Sequence, residues 1–276
     1  MNKKKPIILT AANARYYDSF RQLVYTIVKH KEHQNSRLIF YDLGLDAGQI
    51  QDFDHRYSAF EWIEFRTFDF DNYPNIVNLT TYAWKPIIIQ KNLVESKGKI
   101  LWLDCANMIL QRLDKIWEFI DATGAYTPFS GGTLRQWTHP TCLSHLDVPK
   151  EWHNSRNRMG GLCGFDYQHA EFKNLVEKWA ELSQIKDCIL PDGANRKNHR
   201  HDQSILTILL LALEKQANVT LTNEKVNINT SQPNPYISVH NKIGPKFLMP
   251  VGPLSYWYFK IWRFFDVSNY RLRGQV

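Results

Sequence analysis

The stretch Lys99-Ile100-Leu101-Trp102-Leu103-Asp104 constrains the fold more than any other part of the chain. Four apolar residues follow Gly98-Lys99 without interruption and stop at an acid. An unbroken short apolar run marks a strand buried on both faces, as in a parallel sheet covered by helices on each side. Asp104 then stands where the strand leaves the sheet, and ligands of open α/β sheets bind beyond the carboxyl ends of the strands. A carboxylate there can hold a divalent metal, which in turn can hold phosphates. The structural alternative is an Asp that only caps the next turn.

The segments before this strand repeat one pattern. Pro6 to Thr10 predicts a strand, Ala11-Ala12-Asn13 a turn, and Phe20, Leu23, Val24, Ile27 and Val28 a helix reaching about His30. Arg37 to Tyr41 predicts a second buried strand closed by Asp42-Leu43-Gly44, and Asp46 to Tyr57 a short helix. Trp62, Phe65 and Phe68 mark a third strand region, and Tyr82 to Val94 a helix with Pro86 in its first turn. Strands alternating with helices predict a mostly parallel sheet.

Beyond Asp104, Leu113 to Ile120 predicts a helix, and Ala125 to Asn157 reads as a long irregular loop carrying Trp137, His139 and Trp152. Met159 to Phe165 reads as a glycine-rich strand, where glycine permits close approach of a ligand or another backbone. Phe172 to Leu182 is amphipathic, and Asp202-Gln203-Ser204 opens an apolar helix after the basic run Asn195 to His201. Val219 to Ile228 is strand-like, and Ile237 to His240 is a short strand. No internal repeat is visible.

With 34 basic and 27 acidic residues the chain carries a net charge of +7, which favours an anionic partner: a nucleotide, a nucleic acid or a lipid head group. Nine Trp and thirteen Tyr suggest aromatic binding surfaces beyond what a core requires. Cys105, Cys142, Cys163 and Cys188 form no CxxC, so free thiols in a reducing cytoplasm are expected. No secretory signal pattern follows Met1. Neither GxGxxG nor GxxxxGK[ST] occurs, so a nucleotide, if bound, is bound without those phosphate loops.

Four marks, in order, make the chain resemble GT-A fold glycosyltransferases, closest in layout to glycosyltransferase family eight (glycogenin and the lipooligosaccharide galactosyltransferases). They are the strand ending on Asp104, the glycine-containing strand Gly160 to Phe165, Asp202-Gln203 opening a helix, and a late His240-x-x-x-Gly244-x-Lys246. The resemblance implies a Rossmann-like, mostly parallel sheet flanked by helices over residues 1–250, an acceptor-side loop region, and an aromatic tail over residues 251–276. It implies a transferase that moves a hexose from a nucleotide diphosphate-sugar to a hydroxyl of a glycan or glycolipid.

The same resemblance assigns roles. Thr10, Ala11, Asn13 and Asp42 would meet the nucleoside, with Lys85, Asp104, Lys242 and Lys246 near the phosphates. Asp202 and Gln203 would act beside the donor sugar, with Trp137, His139 and Trp152 lining the acceptor side. Manganese or magnesium (Mn2+ or Mg2+) would be held by Asp104 and His240. Family members carry a second acid two positions on, where this chain has Ala106, with Asn107 following; a site in which lysines balance the diphosphate is the alternative. Retention at the anomeric carbon follows from the resemblance, while inversion with Asp202 as base stays open.

Blander readings stand beside these. Asp202 could be a helix N-cap, His240 a surface histidine, and Lys242 and Lys246 solvated charges. Cys142 and His145 have zinc-like spacing but no second pair. Arg196 to His201 could be a nucleic-acid patch, although no nucleic-acid partner is expected. The rival functions are a sugar nucleotidyltransferase and a basic nucleic-acid-binding protein. In the tail, Leu254, Trp257, Tyr258, Ile261, Phe264 and Phe265 share a helical face, with Lys260 and Arg263 opposite. That predicts a peripheral association with an anionic membrane surface, the alternative being packing on the catalytic domain.

Overall fold

The computed structural model describes residues 5–217, 228 and 234–239. Its centre is a six-stranded sheet of β1 (Ile7–Ala12), β2 (Arg37–Asp42), β3 (Ile63–Thr67), β4 (Lys99–Leu103), β6 (Ala125–Tyr126) and β9 (Leu162–Asp166), in the order β3-β2-β1-β4-β9-β6. The first four are parallel, and β9 runs antiparallel to both β4 and β6. The mostly parallel sheet flanked by helices is therefore as expected, with the glycine-rich strand supplying the antiparallel part.

Side-chain alternation builds two core layers. Ile7, Leu9, Ile39, Ile100 and Trp102 face a layer filled by α3 (Trp84–Ser96), α7 (Ala170–Leu182) and α9 (Asp202–Ala217). Ile8, Leu38, Phe40, Leu101 and Leu103 face the other, filled by α1 (Tyr17–Lys29), α2 (Ala47–Tyr57) and α4 (Asp114–Thr123). Both faces of the central strands are thus covered, which is why their sequences are continuously apolar. Asp46 caps α2 in a reciprocal box: the Gln49 N–H donates to Asp46 Oδ1 at 2.9 Å, and the Asp46 N–H to Gln49 Oε1 at 3.2 Å.

Residues 125–157, expected to be irregular, are built from short elements instead. β7 (Phe129–Thr133) pairs antiparallel with β8 (Arg156–Arg158) across a register shift, and α5 (Leu134–Trp137) and α6 (Pro140–His145) lie between them. Such pieces are too short to show a hydrophobic period. The Thr133-x-x-Gln136 capping box that starts α5 is the one local signal for them. The helix α8 (Lys186–Ile189) is equally short.

β5 (Met108–Ile109) pairs antiparallel with β10 (Ile237–Ser238), joining the late segment to the chain just past Asp104. Of the strand expected over Val219–Ile228, only Ile228 is among the described residues, in a single bridge to Ile237. His240, Lys242, Lys246 and the tail lie outside them.

Glu32 ties the two ends of one helical layer together. Its carboxylate is fully buried and accepts from the Leu113 N–H at 3.0 Å and the Trp117 Nε1–H at 2.8 Å, fixing the start of α4 against the end of α1. Burial pushes this carboxyl above the usual range, and the two donors oppose that shift. Glu32→Ala leaves both donors buried and unpaired, and should cost about 2–4 kcal/mol in denaturant unfolding. A loss within about 0.5 kcal/mol would show that the tie is dispensable.

Candidate functional site

Three segments converge at the carboxyl edge of the parallel strands: the residue after β4, the first turn of α3, and the first turn of α9. They bring together Asp104, Lys85 and Asp202. Lys85 Nζ lies 3.1 Å from Asp104 Oδ1 and 3.4 Å from Asp202 Oδ2, and donates to the Gly160 carbonyl at 3.1 Å. The Lys85 and Asp202 side chains are each 3% exposed, whereas that of Asp104 is 33% exposed. An ammonium in such a place must be paired and hydrogen-bonded to remain charged. Burial alone would lower the Lys85 pKa; Asp104 and then Asp202 more than reverse this and hold it above the ordinary lysine value.

Each partner is held from behind. Asp104 Oδ1 also accepts from the Trp102 indole N–H at 2.8 Å, and the Asp104 N–H donates to the Gly161 carbonyl at 2.9 Å. Asn107 Nδ2 donates to that same carbonyl at 2.7 Å. A Cβ on Gly161 would come within 2.7 Å of Asp104 Oδ2, so the close approach needs glycine. The Asp202 carbonyl accepts from Trp179 Nε1 at 2.8 Å, which anchors the start of α9 in the core.

Asp202 is the first residue of α9, not the residue preceding it. Its Oδ2 is buried at ion-pair distance from Lys85, with no aligned hydrogen bond. Burial pushes its carboxyl up to about 7, with Lys85 opposing and Asp104 adding to the rise. Gln203 follows, its side-chain amide donating to Ser130 Oγ at 3.0 Å.

The other predicted residues are distributed as follows. Thr10 and Ala11 are buried in β1 and Asn13 follows it; Thr10 Oγ1 and Asn13 Oδ1 are buried without a hydrogen-bond partner. Asp42, the last residue of β2, uses Oδ1 to accept from the Gly44 and Leu45 N–H groups, both at 2.7 Å. Trp137 ends α5 and donates Nε1–H to the Gly131 carbonyl at 3.0 Å. His139 caps α6 through Nδ1, which accepts from the Thr141 N–H at 3.3 Å. Trp152 is partly buried against the core. Among the described residues no group of three His, Cys, Asp or Glu could hold a metal ion. Cys142 is a buried free thiol, and His145 Nδ1 lies 3.8 Å from Asp187.

Sequence reasoning missed the supports Trp102, Ser130 and Trp179, and singled out Asn107 for a possible ligand oxygen where its amide N–H instead braces the Gly161 carbonyl. Trp102 and Trp179 read simply as core residues, and nothing local signals that their indole N–H groups point at Asp104 and the Asp202 carbonyl. It also missed that Arg158, buried in β8, pairs with Glu214 and donates to the Thr127 carbonyl at 2.9 Å.

This architecture is the GT-A glycosyltransferase fold. The chain is similar to the apo structure of WbbM, a bifunctional glycosyltransferase, with a TM-score of 0.52 and 10% identity over 76% of this chain and 38% of WbbM. It is similar to an active-site mutant of LgtC (TM-score 0.51, 14% identity, 74% of this chain and 69% of that one). It is likewise similar to apo mouse xyloside xylosyltransferase 1 (TM-score 0.51, 12% identity, 79% and 84%). The chain thus spans well under half the length of WbbM. Residues 1–90 match a family described as a protein of unknown function (DUF1647). No curated protein matches the sequence.

A raised carboxyl has a definite consequence for stability. Its protonated form favours the folded state, so the contribution is fully present below the unfolded pKa of 3.8 and is lost as pH rises through about 7. Side-chain carbon NMR should show one carboxyl titrating near neutrality, absent in Asp202→Asn. Wild-type stability relative to that variant should fall from about pH 4 to about pH 8. A flat difference, with Asp202 titrating in the ordinary carboxylate range, would contradict the buried site.

Proposed function

We propose that the chain is a glycosyltransferase that moves a sugar from a nucleotide diphosphate-sugar to a hydroxyl of a glycan or glycolipid. The observation that carries this reading is the buried Asp104–Lys85–Asp202 cluster at the carboxyl edge of a GT-A sheet. Around it, the unpartnered Thr10 Oγ1 and Asn13 Oδ1 offer polar contacts for a nucleoside at the end of β1.

Glycosyl transfer needs stabilisation of the departing diphosphate and a group that handles the acceptor proton or the developing sugar cation. Lys85, whose donor positions are taken by Asp104, Asp202 and the Gly160 carbonyl, holds the two acids in place, and Asp202 supplies a carboxyl that exchanges its proton near neutral pH. Gln203, held by Ser130, presents an amide beside it. With both carboxylates ionised, the cluster carries more negative than positive charge and does not by itself attract a diphosphate.

Asp104 fits a hard cation in this respect: its Oδ1 is taken by Trp102 and Lys85, and among the described residues Oδ2 has no hydrogen bond. Asp104, with His240, would hold Mn2+ or Mg2+; Ala106 contributes no ligand. The ion, when bound, would supply the positive charge for the leaving diphosphate.

A screen of common nucleotide sugars for donor hydrolysis and transfer, with and without manganese, tests the proposal. At least one donor should be turned over, and Asp104→Ala and Asp202→Asn should each lower the rate about a hundredfold or more. Wild-type turnover in both variants, each shown to be folded, would remove the cluster from the chemistry.

We extend the proposal to a lipid-linked acceptor, on the strength of the aromatic and basic pattern of residues 254–273. Among the described residues no helix is long and apolar enough to cross a membrane. Sedimentation with anionic liposomes should retain the full chain and not one truncated before Leu254. Equal, negligible binding by both would contradict this extension.

A further inference from the structure

The backbone of the basic run before α9 is fixed from several sides. The Lys197 N–H donates to Asn195 Oδ1 at 2.9 Å, and the Asn195 N–H to Asn198 Oδ1 at 2.7 Å. His199 Nδ1 accepts from the His139 N–H at 3.2 Å, which leaves the proton on Nε2 to donate to the Cys188 carbonyl at 3.0 Å. His201 Nδ1 bonds the Ile189 carbonyl at 2.9 Å, with its backbone in the left-handed region at φ 52°. Both imidazoles are buried, and burial pushes His199 down to about 4, so it is neutral. The surface charge of the run therefore reduces to Arg196, Lys197 and Arg200.

Two of these are mounted on aromatic rings beside the site. The Arg200 guanidinium lies 3.9 Å from the centre of the Trp137 ring, and its backbone N–H donates to the Trp137 carbonyl at 2.9 Å. Trp137 in turn is seated against Gly132, where a Cβ would fall 2.1 Å from its indole nitrogen. Arg196 lies 6.0 Å from the centre of the Tyr82 ring, and Lys85 Nζ is 5.0 Å from the same ring. Among the described residues Arg196 and Arg200 are in no ion pair, as is true also of Arg15, Arg135 and Arg156, whereas Arg21, Arg37, Arg56, Arg66, Arg112 and Arg158 are paired. Burial and then the charge of Arg196 lower the Arg200 pKa. Guanidiniums without an ion-pair partner, on one segment whose backbone is braced by internal hydrogen bonds, suit a carboxylate or phosphate that accepts from their N–H groups.

We infer that Arg196 and Arg200, on the Tyr82 and Trp137 rings, form a site for an anionic group of the acceptor, a carboxylate or phosphate carried by an acidic glycan. This rests on the glycosyltransferase reading. The acceptor side is indicated because Arg200 packs on Trp137, one of the residues read as lining the acceptor, while Arg196 shares the Tyr82 ring with Lys85 and so borders the Asp104–Lys85–Asp202 cluster. A nucleic acid is disfavoured, because most of the run is spent on internal bonds.

Calorimetric titration of the full chain, with a bound nucleoside diphosphate, can compare a galacturonic acid hexasaccharide, a glycerol phosphate oligomer and neutral maltohexaose at low salt. At least one anionic oligomer should bind about tenfold or more tightly than maltohexaose, and the arm that wins distinguishes carboxylate from phosphate. Arg196→Gln with Arg200→Gln should remove that advantage, and Arg196→Gln alone, at an exposed position, should remove part of it without a change in melting temperature. Equal binding of the neutral oligomer would overturn the inference, as would anionic binding unchanged in a folded variant. An equal loss of nucleoside diphosphate affinity would also overturn it by assigning the arginines to the donor, and preferential binding of single-stranded polynucleotide by assigning them to nucleic acid. Absence of donor hydrolysis with every nucleotide sugar, beside intact binding of the anionic oligomer, would instead sink the glycosyltransferase reading alone.

Discussion

A lysine ammonium shut away from water between two carboxylates is the constraint on which the rest of the site depends. Lys85 cannot be buried unless the end of β4 and the start of α9 each deliver an acid to within ion-pair distance, with the Gly160 carbonyl filling a third donor position. The sheet order makes this possible: β4 lies between β1 and β9, so the residue after β4 and the glycines before β9 meet at one edge. The absence of a side chain at Gly161 lets that meeting be close. Loss of Lys85 would leave Asp202 buried without a counter-charge, whereas loss of Asp202 would leave Lys85 paired with Asp104.

The cluster is also asymmetric, and the asymmetry separates two roles. Asp104 is a third exposed and keeps one oxygen toward solvent, while Asp202 is enclosed and its proton affinity is raised by that enclosure. Two acids of one type thus differ through environment: one suits a hard cation or a phosphate-bearing ligand, the other proton exchange near neutrality. Beside the cluster, Arg196 on Tyr82 and Arg200 on Trp137 are two guanidiniums without an ion-pair partner among the described residues. An acidic acceptor would be drawn to them and not to the donor cluster.

Much of this was legible from residue order. The strand ending on Asp104 and the helix opening on Asp202 are long apolar runs bounded by acids, and burial on two faces makes such runs unmistakable. The period-two alternation that splits β1, β2 and β4 between two core layers was hidden by that same double burial, since both faces are apolar. The short elements between residues 125 and 157 carry too few residues for any period, and only Thr133-x-x-Gln136 marked one of them. Side-chain N–H groups that reach across the fold leave no local trace: Trp102 to Asp104, Trp179 to the Asp202 carbonyl, Trp117 to Glu32. The basic run looked like a surface patch because two of its histidines are indistinguishable in sequence from exposed ones, although both are buried.

On the proposed function, the diphosphate of a nucleotide sugar sits at the carboxyl edge of the sheet, beside Asp104. A cavity at the opposite edge is lined by Lys5, Arg37, Arg66, Lys99 and Glu95, with Arg37, Arg66 and Lys99 engaged in ion pairs. A crystal structure of the chain with a tightly binding nucleoside diphosphate discriminates between them. The diphosphate is expected beside Asp104, with the nucleoside over the end of β1; a nucleotide seated in the cavity at the amino edge, with the Asp104 edge empty, would rule this placement out.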